Sequence, residues 1–230
     1  MKNNKEYSKK LQKFYRELSR GRAKMEKVFF EEPLEAVIYA MVSENVTIVE
    51  TRSAIRKLDD YFVDVNELRV SRSGEIAEVL GHDTSKAKDT ARALTTVLRA
   101  VFNQSNTISL KDLKKMGKRQ ARKKLEQIDG ITNFAVDYCM LTSLKGHAIP
   151  LTGKMVEYLQ NNDLVDPKAD KKDIEGFLSK QVRADRALEF YTLLRATSEA
   201  AKRVKRAAKK STGTKKAKRK VKKKKTKTRK

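Results

Sequence analysis

The sequence predicts an all-α protein on three observations. Apolar residues recur at helical spacing in one segment after another, helix-start signals precede several of those segments, and no convincing period-two strand is present. Leu11, Phe14, Tyr15 and Leu18 fall at i, i+3, i+4 and i+7, giving a first helix with one apolar stripe and a lysine-rich back. Pro33 suits the first position of a second helix, where the amide it lacks would have no partner, and Leu34, Val37, Ile38 and Met41 carry that helix on. "VTIVE", residues 46–50, is short and reads as a helix junction. Ile55, Leu58 and Phe62 mark a third helix, and a fourth begins near Thr84-Ser85 and carries Ala91, Leu94, Leu98, Val101 and Phe102. Ser109-Leu-Lys-Asp112 has the form of a capping box, in which the hydroxyl satisfies an orphan amide and the carboxylate reaches back. Further helices are expected over Gln120–Ile128, Asn133–Leu144, Thr152–Gln160, Lys172–Gln181 and Ala184–Ala200.

Charge divides the chain into three parts. The net charge is +25, from 54 basic and 29 acidic residues, and it sits at the ends. Residues 201–230 hold 18 basic side chains and no acid, and residues 1–28 hold 10 basic and 3 acidic, which leaves 26 of each sign in residues 29–200. The expected organisation is a basic N-terminal helix packing on the body (1–28), a neutral globular body of about one domain (29–200) and a tail (201–230). The Ala/Lys/Thr tail has almost nothing to bury and is expected to be disordered when free. Cys139 stands alone, which excludes an intramolecular disulfide and a cysteine-ligated metal or cluster; its apolar helical setting predicts a small core residue. The longest apolar run, Ala36 to Val42, is too short to span a bilayer, and no secretory leader is read in "MKNNKEYSKK". The excess charge points to a polyanion.

The stretch "LEQIDGITNFAVDY", residues 125–138, reads as a helix end, a tight turn at Gly130 and a new helix. Such a hairpin aims consecutive backbone N–H groups and a helix N-terminal dipole at one phosphate. Ordinary helix–turn–helix packing fits a single-glycine turn equally well. The order of the surrounding elements adds to it, and together they resemble the helix-hairpin-helix DNA glycosylase superfamily in its endonuclease III branch. "EEPLEAVIYAMVSENVT" is similar to the opening segment of that family, "SKAKDTARALTTVL" to its x-K-A-x-x-I helix, and "LKDLKKMGKRQARKKLEQIDGI" to its approach to the hairpin. "HAIPLTGKMVEYL" is similar to its V-D-T-H segment. The resemblance spans roughly residues 8–198 and implies two all-helical lobes with a DNA-binding cleft between them.

Two departures bear on chemistry. Alignment of residues 128–134 with the family's L-P-G-V-G-x-K places Phe134 where bifunctional members carry the lysine that attacks the sugar C1′. Alignment of residues 149–153 with x-V-D-T-H places Leu151 at the superfamily's aspartate, which activates the nucleophile or stabilises the cationic sugar. Neither side chain can perform its predecessor's step. The four-cysteine cluster motif is absent, so no cofactor or metal is expected. Lys154 and Asp137, each three residues beyond a lost position, are candidates for relocated chemistry; the plainer readings are a phosphate or solvent contact for Lys154 and a solvated helix residue for Asp137. Lys145 reads as a helix C-terminal charge and His147 as a structural or surface residue. Asn45 in "SENVT" aligns near the family's gap-filling glutamine and equally suits a helix cap.

The sequence thus leads to a non-catalytic protein that binds double-stranded DNA through Gly130, Ile131, Thr132 and Asn133, with Asn45 and Lys154 as further contacts. In the tail, Lys202, Arg203, Lys215, Lys216, Lys222, Lys223, Lys224 and Lys225 are expected to hold phosphate non-specifically by counterion release. RNA stays open as a partner of the tail. The alternatives are an active glycosylase or abasic-site lyase with relocated residues, and a histone-like architectural protein. The expected location is cytoplasmic and nucleoid-associated, or nuclear in a eukaryote.

Overall fold

The structure is a computed structural model that describes residues 4–20, 28–81 and 85–200. Its helices are α1 (Asn4–Arg20), α2 (Pro33–Ser43), α3 (Ile48–Tyr61), α4 (Val65–Val70), α5 (Ser73–Val79) and α6 (Ser85–Ser105). They are followed by α7 (Lys118–Glu126), α8 (Asn133–Thr142), α9 (Gly153–Asn161), α10 (Lys171–Gln181) and α11 (residues 187–200). Short 3₁₀ turns occupy Lys111–Lys115 and Ala184–Arg186, and the described residues include no strand.

Local chemistry starts most of these helices where the sequence places them. Pro33 opens α2 behind Glu32, whose carboxylate accepts the Leu34 amide. Thr47 and Glu50 form a reciprocal capping box at the start of α3, inside the segment read as a junction. Thr132, Thr152 and Asp170 cap α8, α9 and α10 through their side-chain oxygens. Two expectations are corrected. Ser109 and Asp112 do not make a capping box: the Ser109 hydroxyl donates to Glu32, and Asp112 pairs with Lys115 across a 3₁₀ turn. The cause is tertiary, because the Glu32 carboxylate also takes the Leu110 amide and pins this turn against the start of α2. Helices α4 and α5 were not expected. With six and seven residues they are too short to carry a stripe, and they stand because Leu68 and Ile76 are buried in the common core.

Two groups of helices make the body. In the first, α2 lies along α8 as its central pair, with α3, α5, α6 and α7 packed around them. In the second, α1 lies beside α9 and α11 through a Tyr15–Phe190 edge-to-face contact and a Phe14–Tyr158 contact, with Leu11 buried beneath. Cys139 is fully buried, its thiol directed at the Pro33 carbonyl oxygen, and burial pushes that thiol up to about 12; it is the core residue its setting predicted. The His147 ring meets the Val182 carbonyl oxygen at 2.9 Å, in keeping with a structural role. Lys145 lies beyond the last turn of α8 in the left-handed region, φ 51°, where the Gly146 amide returns to Met140 and closes the helix end. Gly146 is required there, since a β-carbon would stand 2.6 Å from the Met140 methyl and 3.2 Å from its carbonyl oxygen.

The two groups are joined by Arg195 of α11. Its guanidinium is 2% exposed and donates to the Ser43 and Val46 carbonyl oxygens, the Tyr191 hydroxyl and Glu199. Replacing it by methionine keeps much of the volume but leaves two carbonyls and a carboxylate without their donors. Arg195→Met is expected to lower stability by about 3–5 kcal/mol, read as a shift of the denaturant midpoint at unchanged slope.

Candidate nucleic-acid interface and the substituted pocket

The turn between α7 and α8 is built by one glycine and one threonine. Gly130 has φ 82°, and the Ile131 amide closes the turn on the Ile128 carbonyl oxygen. A β-carbon on Gly130 would lie 3.0 Å from the Thr96 methyl of α6, so the glycine is needed both for its conformation and for close packing on α6. Thr132, where the family pattern has glycine, caps α8 by accepting the Ala135 amide at 3.1 Å. The amides of Asn133 and Phe134 precede that bond and have no acceptor within a helix, so they are offered outward at the positive end of α8. Gly130 and Asn133 are exposed, and Ile131 and Thr132 are half-buried. These four residues are therefore brought together at one surface.

Phe134 and Leu151 are both buried in the interior, 1% and 0% exposed. The Phe134 ring stacks on Tyr138 and lies 6.0 Å from the Arg195 guanidinium. Asp137 corrects an expectation: it is not a solvated helix residue but 7% exposed, and Arg122 of α7 holds its carboxylate at 2.6 Å. Burial raises the Asp137 carboxyl above its ordinary range, although Arg122 and Lys171 pull it down. Lys154 is half-buried on the first turn of α9, and Asn45 is exposed between α2 and α3. The caps at that corner are Glu44 and Thr47, so the cap reading of Asn45 does not hold. The tail positions Lys202, Arg203, Lys215, Lys216 and Lys222 to Lys225 lie outside the described residues.

The residues that sequence reasoning missed come from α10. Lys171 places its ammonium 5.7 Å from the centre of the Phe134 ring, 3.8 Å from Glu44 and 3.9 Å from Glu175. The Glu175 carboxylate faces the backbone of Leu151, which favours its ionised form, while its Oε1 is buried without a hydrogen-bond partner. A lysine and a glutamate one turn apart on α10 thus approach Phe134 and the backbone of Leu151, one each. Their spacing is that of any surface i,i+4 pair, so no local signal separated them from solvated charges. Among the described residues, no group of three His, Cys, Asp or Glu side chains could hold a metal ion, and no helix is long and apolar enough to cross a membrane.

No family model matches the chain, and no curated protein matches it. Solved structures do. The chain is similar to endonuclease III trapped in a covalent intermediate with DNA, at 10% identity and TM-score 0.64, over 82% of this chain and 84% of that one. It is similar to the 8-oxoguanine glycosylase/lyase of Clostridium acetobutylicum in complex with double-stranded DNA, at 15% identity and TM-score 0.66, over 87% and 71%. It is also similar to the H. pylori 3-methyladenine DNA glycosylase, at 13% identity and TM-score 0.61, over 86% and 98%. The chain has the all-α helix-hairpin-helix fold of the DNA glycosylases.

Burial pushes the Glu175 carboxyl up to about 7, against the pull of Lys171, with Asp137 adding to the rise. The folded state therefore holds a proton on this group where the unfolded chain has released it. Its contribution to stability is full at pH values below the ordinary carboxyl range and is lost as pH rises toward 7. Glu175→Gln, which keeps a carbonyl oxygen to face Leu151, is expected to stabilise the protein at pH 8 by about 2–3 kcal/mol, an advantage that disappears near pH 4.5. Thermal unfolding of both proteins across that range measures it.

Proposed function

We propose that the protein binds duplex DNA on a base-excision-repair glycosylase scaffold without excising bases, gripping the backbone by its hairpin and, non-specifically, by its Lys-rich tail. What supports this reading is a glycine turn capped by Thr132 together with two buried apolar side chains at the positions that the family resemblance gives to catalysis. Gly130 and Thr132 keep the turn and cap of the hairpin, while Phe134 and Leu151 are packed in the interior. An extruded base would have to displace them, and neither offers a nucleophile or a carboxylate. The DNA complexes among the similar structures support a DNA partner. The tail, with 18 basic residues and no acid, adds affinity that falls steeply with salt.

Asn133→Asp tests the grip without disturbing the fold. A carboxylate in the first turn of α8 favours the helix dipole, yet it repels phosphate at the same amides. Duplex affinity is expected to fall about tenfold, about 1.4 kcal/mol, with the melting temperature equal to or above that of the parent. Unchanged affinity at low salt would remove the hairpin from the interface and leave the architectural reading, in which the tail does the binding.

A second reading, an abasic-site lyase with relocated chemistry, is favoured by the Lys171–Glu175 pair. The relocated nucleophile would then be Lys171, which lies against Phe134, in place of Lys154. Borohydride trapping on duplex DNA with an abasic site separates the two. The non-catalytic reading expects no covalent adduct; an adduct that disappears in Lys171→Ala and persists in Lys154→Ala would replace it.

A further inference from the structure

The body is neutral in total, yet its charge is not evenly spread. Residues 111–124, the 3₁₀ turn and most of α7, hold eight basic side chains and one acidic one. Three of the eight are neutralised: Lys111 by Glu32 at 3.8 Å, Lys115 by Asp112 at 2.8 Å, and Arg122 by Glu126 and Asp137. The other five, Lys114, Lys118, Arg119, Lys123 and Lys124, are exposed and make no ion pair among the described residues, and the last four of them belong to α7. On α6, Arg92 and Arg99 are also exposed and unpaired among the described residues, and they share one helical face with Thr96.

The hairpin joins these two cationic faces. The Gly130 α-carbon sits against Thr96, with the Ala93 carbonyl oxygen 3.5 Å from where a β-carbon would be. Along α6, Arg92 then lies about 6 Å to one side of that contact and Arg99 about 4.5 Å to the other. Helix α7 runs directly into the same turn, which begins with the Gln127 amide on the Lys124 carbonyl oxygen. Arg92 and Arg99 therefore flank this contact on α6 and Lys123 and Lys124 lie in the last turn of α7, while Lys118 and Arg119 stand at its first turn, about 12 Å back.

We propose that Arg92, Arg99, Lys118, Arg119, Lys123 and Lys124 form one track for the phosphate backbone of duplex DNA, continuous with the hairpin. This rests on the hairpin reading for its orientation, and for its existence on the packing of Gly130 against Thr96 of α6, with α7 leading into the same turn. The chemistry of the surface selects the partner. A protein partner needs apolar or aromatic anchors, and the large exposed apolar side chains, Phe29, Val49, Tyr61, Val63 and Val70, all lie outside α6 and α7. A single strand is held by aromatic platforms for its bases; the aromatic residue of α6, Phe102, is covered by the Arg69 guanidinium at 4.0 Å, and α7 has no aromatic. What remains is a set of cations at a rigid surface, which suits a regular polyanion.

The test uses the full chain with Arg92, Arg99, Lys123 and Lys124 all changed to glutamine, so that the tail is identical in both proteins. Fluorescence anisotropy with a labelled duplex and with a single strand of the same sequence, across a salt series, gives the slope of log affinity against log salt. The duplex slope is expected to become shallower by about 3–4, roughly 0.9 for each phosphate no longer neutralised, with the single-strand slope changed by less than about one. An unchanged duplex slope overturns the track, as does an equal loss on both nucleic acids. All four residues are exposed, so the melting temperature is expected to stay the same. If Asn133→Asp leaves affinity intact while the quadruple change makes the slope shallower, the track stands and the hairpin reading fails. If Asn133→Asp weakens binding and the quadruple change leaves the slope alone, the reverse holds.

Discussion

A charged guanidinium in the interior costs several kcal/mol unless its donors are used, and Arg195 uses them on groups from both halves of the molecule. The Ser43 and Val46 carbonyl oxygens that it holds bracket Glu44 and Asn45. Pinning that corner to α11 sets Glu44 3.8 Å from the Lys171 ammonium and sets the Arg195 guanidinium 6.0 Å from the Phe134 ring. One satisfied charge thus ties the end of α2 to α11 beside the Phe134 ring of α8. Glu199 extends the same arrangement by accepting the Ile48 amide, so the first turn of α3 is tied to the last turns of α11.

The apolar replacements have consequences beyond the loss of two reactive groups. Phe134 supplies a ring that both stacks on Tyr138 and receives the Lys171 and Arg195 cations, so positive charge gathers over a floor that has no charge of its own. Carboxylates then gather to answer the cations: Glu44 and Glu175 at Lys171, Asp137 at Arg122. Burial is the main cause of the raised carboxyls of Asp137 and Glu175, with Glu126 adding to the first and Asp137 to the second. Their charge is balanced locally, whereas Arg92 and Arg99 of α6 and Lys118, Arg119, Lys123 and Lys124 of α7 make no ion pair among the described residues. The outer face is therefore the place where the body can attract a polyanion.

Much of the fold was legible in the sequence because its signals are local. Pro33, Thr132 and Thr152 mark helix starts through the geometry of a single turn, and the stripe of α6 follows from spacing alone. The Gly130 turn and the apolar identities of Phe134 and Leu151 were legible for the same reason. Where a local pattern had a distant competitor, the reading failed. Ser109 and Asp112 satisfy the capping pattern, but Glu32, seventy-seven residues away from Ser109, captures the serine hydroxyl. Asp137 has the spacing of a surface residue on α8, and only the approach of Arg122 makes its burial tolerable.

The sequence by itself determined most of the helical segments, where the Gly130 turn falls and that residues 134 and 151 are apolar. Each of these depends on residues within a turn or two of one another. Tertiary structure decided which charges are paired and which are free. Lys171 and Glu175 approach Phe134 and the backbone of Leu151 across a gap of more than twenty residues, and Gly130 packs against Thr96 of α6, with α7 leading into the same turn. Whether a side chain is solvated, neutralised or poised over a pocket depends on what packs against it, and a chain of i,i+4 charges is silent on that until the helices are docked.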